Sequence, residues 1–460
     1  MNQESAAHTD LLRQLQRESG DMQVLAPGSS AYDRATTPDN ASFAQHPTAV
    51  VRPRTSAQVA AAITSAHRHG LRVVVQATGH GSGRELTHGA LLVDTSLLDT
   101  ITFDAQEQVA HVGAGATWNQ VQRVAEPHGL LGLSGTSGGV GVSGYTFAGG
   151  VGWLVRPHGL AAGSLHSVDY VDGTGKLRRA ADQADEQVDR DAIWAFRGGT
   201  PVGVATSLEI GLHPHGDLAA GYLLWPGSYL PQLAQAWEQS LAHVPDSVTS
   251  TLALLQLPPD GPFPPELLGT TVVHLSYATP EGAAALSPMR GVMRAVATPV
   301  VDTTGPSDAA ALAQIHLDPP AGVPARGGGW WLRAAAAAHV AEIFGAAQVG
   351  APDGLAMIEM RHVASSAPAH SGAVTRMPGE FLAHAVGPAP REEDRARVDT
   401  VLAAVEHALA PVTAGRTAPA FREGQPEAGI ALEEAAQQRV LRTATQLDPQ
   451  RLFSFQRGAV

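Results

Sequence analysis

The sequence predicts an α+β chain folded as two lobes. Three observations carry that expectation. The chain has 460 residues, enough for more than one hydrophobic core. Residues 47–215 alternate short apolar runs with helix-spaced segments. Near Pro214 the character changes to proline-rich connections, such as Leu257-Pro258-Pro259-Asp260-Gly261-Pro262, and alanine-rich stretches, such as Arg333 to Phe344. The boundaries this implies are 1–215 for a first lobe, 216–425 for a second, and 426–460 for a terminal segment.

In the first lobe, Thr55 and Gln58 form a capping box, and Val59, Ala62, Ile63 and Ala66 keep one apolar helical face up to Gly70. Leu71 to Val75 reads as a buried strand. Leu91 to Val93, Ile101 to Phe103 and Val109 to Val112 are further strands. Thr117 and Gln120 open a second helix with Trp118, Val121 and Val124 on one side. Val168 to Val171 followed by Asp172-Gly173 predicts a hairpin. In the second lobe the alanine run is helical by propensity. Ala356 to His362 alternates as a strand, with Ile358, Met360 and His362 on one face and Glu359 and Arg361 on the other. Leu432 to Leu452 is mostly one helix, ending at Leu447-Asp448-Pro449.

Composition excludes several classes of function. Thirty basic against forty-three acidic residues give a net charge of −13, which disfavours nucleic acid and anionic membrane as partners. No run of apolar residues is long enough to span a bilayer, and the first residues carry no basic or apolar leader pattern. A cytoplasmic location is the default expectation. Cysteine is absent, which removes disulfides, thiolate metal sites and thiol nucleophiles. The pairs His67-x-His69 and His213-Pro214-His215 sit at turns without an acidic third ligand at helical spacing, so no metal site is expected.

Two glycine-rich stretches carry the chemistry. The first, Val73 to Gly83, places Thr78-Gly79-His80-Gly81-Ser82 directly after a buried strand. The second runs from Gly132 to Trp153 and holds Gly135, Thr136, Gly139, Val140, Val142, Gly144, Tyr145, Gly149 and Gly150. Glycine lets backbone N–H groups converge on a diphosphate and lets a planar ring approach the chain. The first run is not a Rossmann fingerprint. Position 84 is arginine, and a strand rather than a helix pattern follows, so no helix N-terminus meets the phosphates. No Gly-Lys-Ser/Thr phosphate loop occurs either. Either run alone could simply make tight turns. Two runs with a positioned histidine point instead to a dinucleotide cofactor, flavin rather than nicotinamide.

These residues resemble the flavin domain of the berberine-bridge-enzyme-like branch of the vanillyl-alcohol-oxidase superfamily. The similarity starts at Pro47 to Pro53 and continues through the Gly79-His80 turn and the second glycine run. It then includes Trp153 to Ala162, Trp194 to Gly199 and Gly203 to Thr206, and returns at Leu447 to Phe453. The resemblance implies a two-lobed FAD-binding fold of the PCMH type, with an antiparallel-sheet substrate domain and a C-terminal segment that rejoins the flavin domain. It implies FAD bonded through His80 to the flavin 8α carbon. Thr78 to Ser82 would serve the diphosphate, the second run the ring and ribityl chain, and Val204 the adenine, with Val142 near the ring leaving space for oxygen. Ser137 stands where many relatives carry a second, cysteine tether, so attachment through His80 alone is expected.

The pattern departs from the family near its C-terminal end, where Ala420 and Phe421 stand in place of an asparagine and a tyrosine. A phenolate base at that position is therefore ruled out. Glu359, His362 and His384 are the candidate bases, although only one of Glu359 and His362 can face the flavin. The bland readings are ion pairing for Glu359 and packing or capping for the histidines. The expected activity is oxidation of a small organic molecule, probing towards secondary metabolites, by hydride transfer to flavin N5 with dioxygen as acceptor. The alternatives are a flavin-dependent oxygenase and a flavin-binding protein without catalysis.

Overall fold

The computed structural model describes residues 12–18, 20–319, 322–424 and 431–453. The first lobe holds two main sheets. One has four strands in the order Gln23–Leu25, Ala49–Arg52, Ala90–Asp94, Arg72–Gln76; the last three run parallel. Helix Ser56–Arg68 makes the crossover after Ala49–Arg52. Thr55 caps it, accepting from the Gln58 N–H at 3.2 Å. Parallel neighbours ordinarily need a helical crossover. Between Arg72–Gln76 and Ala90–Asp94, however, the chain has only the irregular connection 77–89. That connection carries the first glycine run, which is why no helix follows it.

The second sheet of this lobe is antiparallel, in the order Ile101–Asp104, Val109–Gly113, Val204–Gly211, Leu165–Val171, Leu177–Ala181. Its Asp172 turn forms the expected hairpin: the Asp172 carboxylate accepts from the Thr174 and Lys176 N–H groups at 2.9 and 3.1 Å. Helix Trp118–Ala125 begins with the capping box read from Thr117 and Gln120.

The second lobe is a nine-stranded sheet. Its main path is Val301–Asp302, Ala219–Pro226, Thr271–Thr279, Thr249–Gln256, Met357–His362, Phe381–Pro388, Ala325–Leu332, Thr413–Thr417. The period-two alternation of each strand sorts its side chains onto two faces. One face, with Trp225, Leu252, Leu275, Ile358 and Met360, is covered by helices Leu230–Leu241, Ser287–Val296, Val340–Ala346 and Glu392–Leu409. The other face meets the first lobe, where Trp331 and Leu382 share a core with Phe147, Trp153 and Leu154. The alanine run is helical in two parts. Ala334–His339 is a 3-10 segment and only Val340–Ala346 is α-helical. Helix Glu434–Leu447 buries Val440 and Leu447 in the core of the first lobe, and the Val73 N–H donates to the Leu452 carbonyl at 2.8 Å. Among the described residues, no helix is long and apolar enough to cross a membrane.

Residues 363–380 form a strap from the end of strand Met357–His362 across the first lobe. Arg197, whose side chain is fully buried, fastens it. Arg197 donates to the Leu165 carbonyl at 2.8 Å, to the Ser371 carbonyl at 2.9 Å, and to both Asp182 oxygens at 2.8 and 2.9 Å. Removing the guanidinium leaves the buried Leu165 carbonyl without this donor and frees the part-buried Ser371 carbonyl. Arg197→Ala should therefore cost about 3 kcal/mol of stability, read as a lowered denaturant midpoint. An unchanged midpoint would show that the strap does not depend on this residue.

Candidate active site

The two glycine runs meet at the floor of the site. A Cβ on Gly141 would lie 3.3 Å from the Ala77 Cβ, so side chains there would hold the runs apart. The Gly138 and Val140 carbonyls accept from the Asn119 and Trp118 N–H groups at 2.8 and 3.1 Å, pinning the second run to the start of helix Trp118–Ala125. The first run is pinned from beneath. The Gln45 amide donates to Gln76 at 3.1 Å and to the buried Ser82 hydroxyl at 2.9 Å. Gly79 has φ +75, and a Cβ on it would lie 2.4 Å from the Pro38 Cβ, so no other residue fits this turn without strain.

Asn40 ties that turn to the second lobe. Its N–H donates to the Gly79 carbonyl at 3.4 Å, and the Asp39 N–H donates to the Thr78 carbonyl at 3.1 Å. The buried Asn40 side chain accepts from the Ala325 N–H and donates to the Ala325 carbonyl, both at 3.2 Å, and accepts from the Ser42 hydroxyl at 2.6 Å. His80 itself is exposed at the tip of the turn.

The ceiling is the sheet of the second lobe. Register places Glu359 directly opposite His384, so both side chains face the first lobe together with Arg361. Glu359 is completely buried. Its carboxylate accepts from Arg361 at 2.9 Å and from His316 Nε2 at 3.0 Å, while His384 Nδ1 lies 3.6 Å away, an ionic contact rather than a hydrogen bond. His316 is bridged on its other side to Asp318 at 2.7 Å, and His384 Nε2 to Glu423 at 3.2 Å. The Arg361 guanidinium lies 5.2 Å from the Trp153 ring centre and 5.8 Å from that of Phe421. Three carboxylates and three cations thus form one network, buried at Glu359 and open to solvent at Asp318.

Electrostatics fix its protonation. Burial pushes the Glu359 carboxyl up, but Arg361, His316 and His384 outweigh it and hold the group well below the ordinary carboxylate value. Burial lowers His316, yet Asp318 and Glu359 raise it to about 10; in the same way Glu423 and Glu359 raise His384 to about 9 against the effect of burial. Burial raises Asp318, but His316 and the Thr136 hydroxyl bring it down to about 2. At neutral pH both histidines carry a proton and all three carboxylates are ionised.

The structure brings Glu359 and His384 together and leaves His362 outside. His362 lies on the helix-covered face, stacked on Phe381 with ring centres 5.1 Å apart, and burial and Arg156 lower it to about 3. Val142 is fully buried in the core, and Val140 is half-buried. Val204 is likewise in a core, packed with Val51 and Val171. Tyr145 lies beneath Arg361, with burial raising its hydroxyl. His316, Asp318, Glu423 and Asn40 were not marked by any motif. They lie on irregular connections, where no periodicity announces a shared site.

The floor fits a flavin dinucleotide. The N–H groups of Gly81 and of Gly135 through Gly139 find no acceptor within the chain among the described residues. A Cβ built on Gly139, Gly144 or Gly149 would meet no atom within 4 Å. Among the described residues, the buried Tyr145 hydroxyl, Trp153 Nε1 and Arg361 Nε have no hydrogen-bond partner. Backbone donors without acceptors and open glycines along two adjoining runs are what a diphosphate and a planar ring require.

A glycine-lined cradle thus faces a sheet of buried acids and histidines. Residues 47–181 match the FAD binding domain family. It is 28% identical over 236 residues to (R)-6-hydroxynicotine oxidase of Paenarthrobacter nicotinovorans, covering 49% of this chain and 50% of that protein. It is 27% identical over 219 residues to an FAD-dependent monooxygenase of Penicillium roqueforti, covering 46% and 42%. These matches span half or less of the relatives' length. The BBE-like 1 structure from Physcomitrella patens superposes with a TM-score of 0.79 over 97% of this chain and 99% of that one, at 17% identity. The fold is thus that of the berberine-bridge-enzyme-like proteins, as the motifs indicated.

The raised histidines make the network pH-dependent. A histidine whose folded value exceeds its unfolded 6.5 contributes stability below about pH 6.5 and loses it as pH rises through the folded value. The melting-temperature difference between the native protein and His316→Gln should be largest near pH 6 and close above about pH 10. A difference that stays constant across this range would contradict the assigned charge states.

Proposed function

We propose that this protein is an FAD-linked oxidase whose flavin is tethered through His80 alone and oxidises a small organic molecule, a secondary metabolite in our reading. The observation that carries the proposal is the position of the His80 turn, tied through Asn40 to the strand that lies beside the Glu359–His384–Glu423 cluster. When bound, FAD supplies the hydride acceptor at N5 and passes electrons to dioxygen. Everything else falls to the chain. The glycine runs hold the diphosphate and ring, and the two lobes shut water out.

Of the three candidate residues, His384 is the one this geometry favours, as a proton donor rather than a base. Glu359 is committed to three cations, which makes it a poor proton acceptor and a good counter-charge. His384 stands protonated between two carboxylates, so in the resting site it donates a proton or stabilises negative charge on the substrate. His316 and Asp318 form a second such pair beside Thr136. Flavin bleaching by substrate should fall off above about pH 9, where His384 loses its proton. His384→Gln should slow bleaching by about 10²-fold or more. An equally fast His384→Gln enzyme would move the acid–base role to His316.

Tethering has its own test. Acid precipitation should leave the yellow colour with the polypeptide, intact mass should show one FAD and no more, and His80→Ala should release the flavin while the fold persists. Colourless precipitate from the native protein would refute the tether. A second reading, oxygenation of the substrate, is supported by the likeness to a monooxygenase. The ratio of hydrogen peroxide formed to dioxygen consumed decides between them, since an oxidase gives one for one.

A further inference from the structure

The reaction proposed above needs one histidine–carboxylate pair, yet the network holds two. Asp318–His316 lies beside Thr136 of the second glycine run, whereas Glu423–His384 lies against the strand Ala325–Leu332, to whose start Asn40 ties the His80 turn. We infer that Glu423, oriented by His384, is the carboxylate that assists His80 in bonding to the flavin. This inference rests on the reading of His80 as the tether.

The seat of Glu423 is built. Strand Ala325–Leu332 gives up three consecutive side chains at Gly327, Gly328 and Gly329. A Cβ on Gly327 would lie 2.6 Å from Glu423 Oε2, and one on Gly329 would lie 2.4 Å from the Phe421 Cβ. The bare strand therefore lets the turn Pro419–Phe421 and the residue after it lie directly on the sheet. The Ala418 N–H donates to the Gly329 carbonyl and the Gly327 N–H to the Glu423 carbonyl, both at 2.9 Å. His384 Nε2 then fixes the carboxylate at 3.2 Å and is itself held from behind by Glu359.

The same strand start, Ala325, holds Asn40, and Asn40 holds the Gly79 carbonyl next to His80. The turn and the carboxylate thus share one support. Burial pushes the Glu423 carboxyl up, but His384, with a smaller contribution from His80, outweighs it and holds the group below the ordinary carboxylate value. A carboxylate kept ionised at one imidazole nitrogen presents the other as a lone pair and stabilises the imidazolium that forms when that nitrogen attacks.

The step balances as follows. A bond forms between an imidazole nitrogen of His80 and the 8α methyl carbon of the flavin. One methyl C–H bond and the imidazole N–H bond break. The two electrons stay with the ring and reduce dioxygen, which takes up both protons as hydrogen peroxide. Glu423 carries the imidazole proton from its nitrogen towards solvent.

The test uses full-length apoprotein incubated with FAD in air, with total bound and acid-stable flavin followed separately. The native protein should release one hydrogen peroxide for each flavin attached. Glu423→Gln should bind FAD but attach it at least about tenfold more slowly, and added formate should restore part of the rate. Glu423→Asp should fall between the two and serves as the readout if Glu423→Gln does not fold. Attachment at the native rate in either variant would overturn the assignment, as would a slow variant that formate does not rescue. Absence of acid-stable flavin in the native protein, with FAD bound, would instead remove the His80 tether on which the assignment stands.

Discussion

A carboxylate with no access to water sets the arrangement of the whole site. Glu359 has zero exposure, and an isolated charge so placed would be neutralised rather than kept. It remains ionised because Arg361, His316 and His384 surround it, each reaching it from a different part of the chain. Arg361 comes from the same strand, His384 from the neighbouring strand by register, and His316 from the connection after the helix Ala309–Leu312. Each of these cations is in turn compensated or braced: His316 by Asp318, His384 by Glu423, Arg361 by the Trp153 and Phe421 rings. Removing one partner strands the others, so the network is held as a unit.

This arrangement explains how the two lobes act as one. Trp153, at the end of the second glycine run, lies under Arg361, whose guanidinium also donates to the Val151 carbonyl at 3.3 Å. Arg361 therefore joins the substrate sheet to the flavin floor. Asn40 makes the matching connection at the His80 side. A ring placed between these two ties would have its environment set by both lobes at once, which suits a reaction that passes hydride across the interface while excluding water.

Much of the fold was legible because its signals are local. The capping boxes at Thr55 and Thr117, the hairpin at Asp172 and the bare loop after Arg72–Gln76 are each encoded within a few residues. So was the parity of strand Met357–His362, which already separated Glu359 from His362. The alanine run is helical, as its propensity suggests, but the structure holds Ala334–His339 as a tighter 3-10 segment before the α-helix that starts at Val340. The site was legible only where it follows a glycine motif or a strand. Asp318, His316 and Glu423 owe their roles to sheet register and to turns that three glycines make room for, and neither leaves a periodic trace in the sequence.

The central claim is that one imidazole, His80, carries the cofactor. Digestion after each arginine would free the stretch Val73 to Arg84 as a single peptide containing only that histidine. Mass spectrometry of the yellow peptide should find FAD on this fragment, with the bond located at His80. Flavin on any other peptide, or on none, would contradict the account.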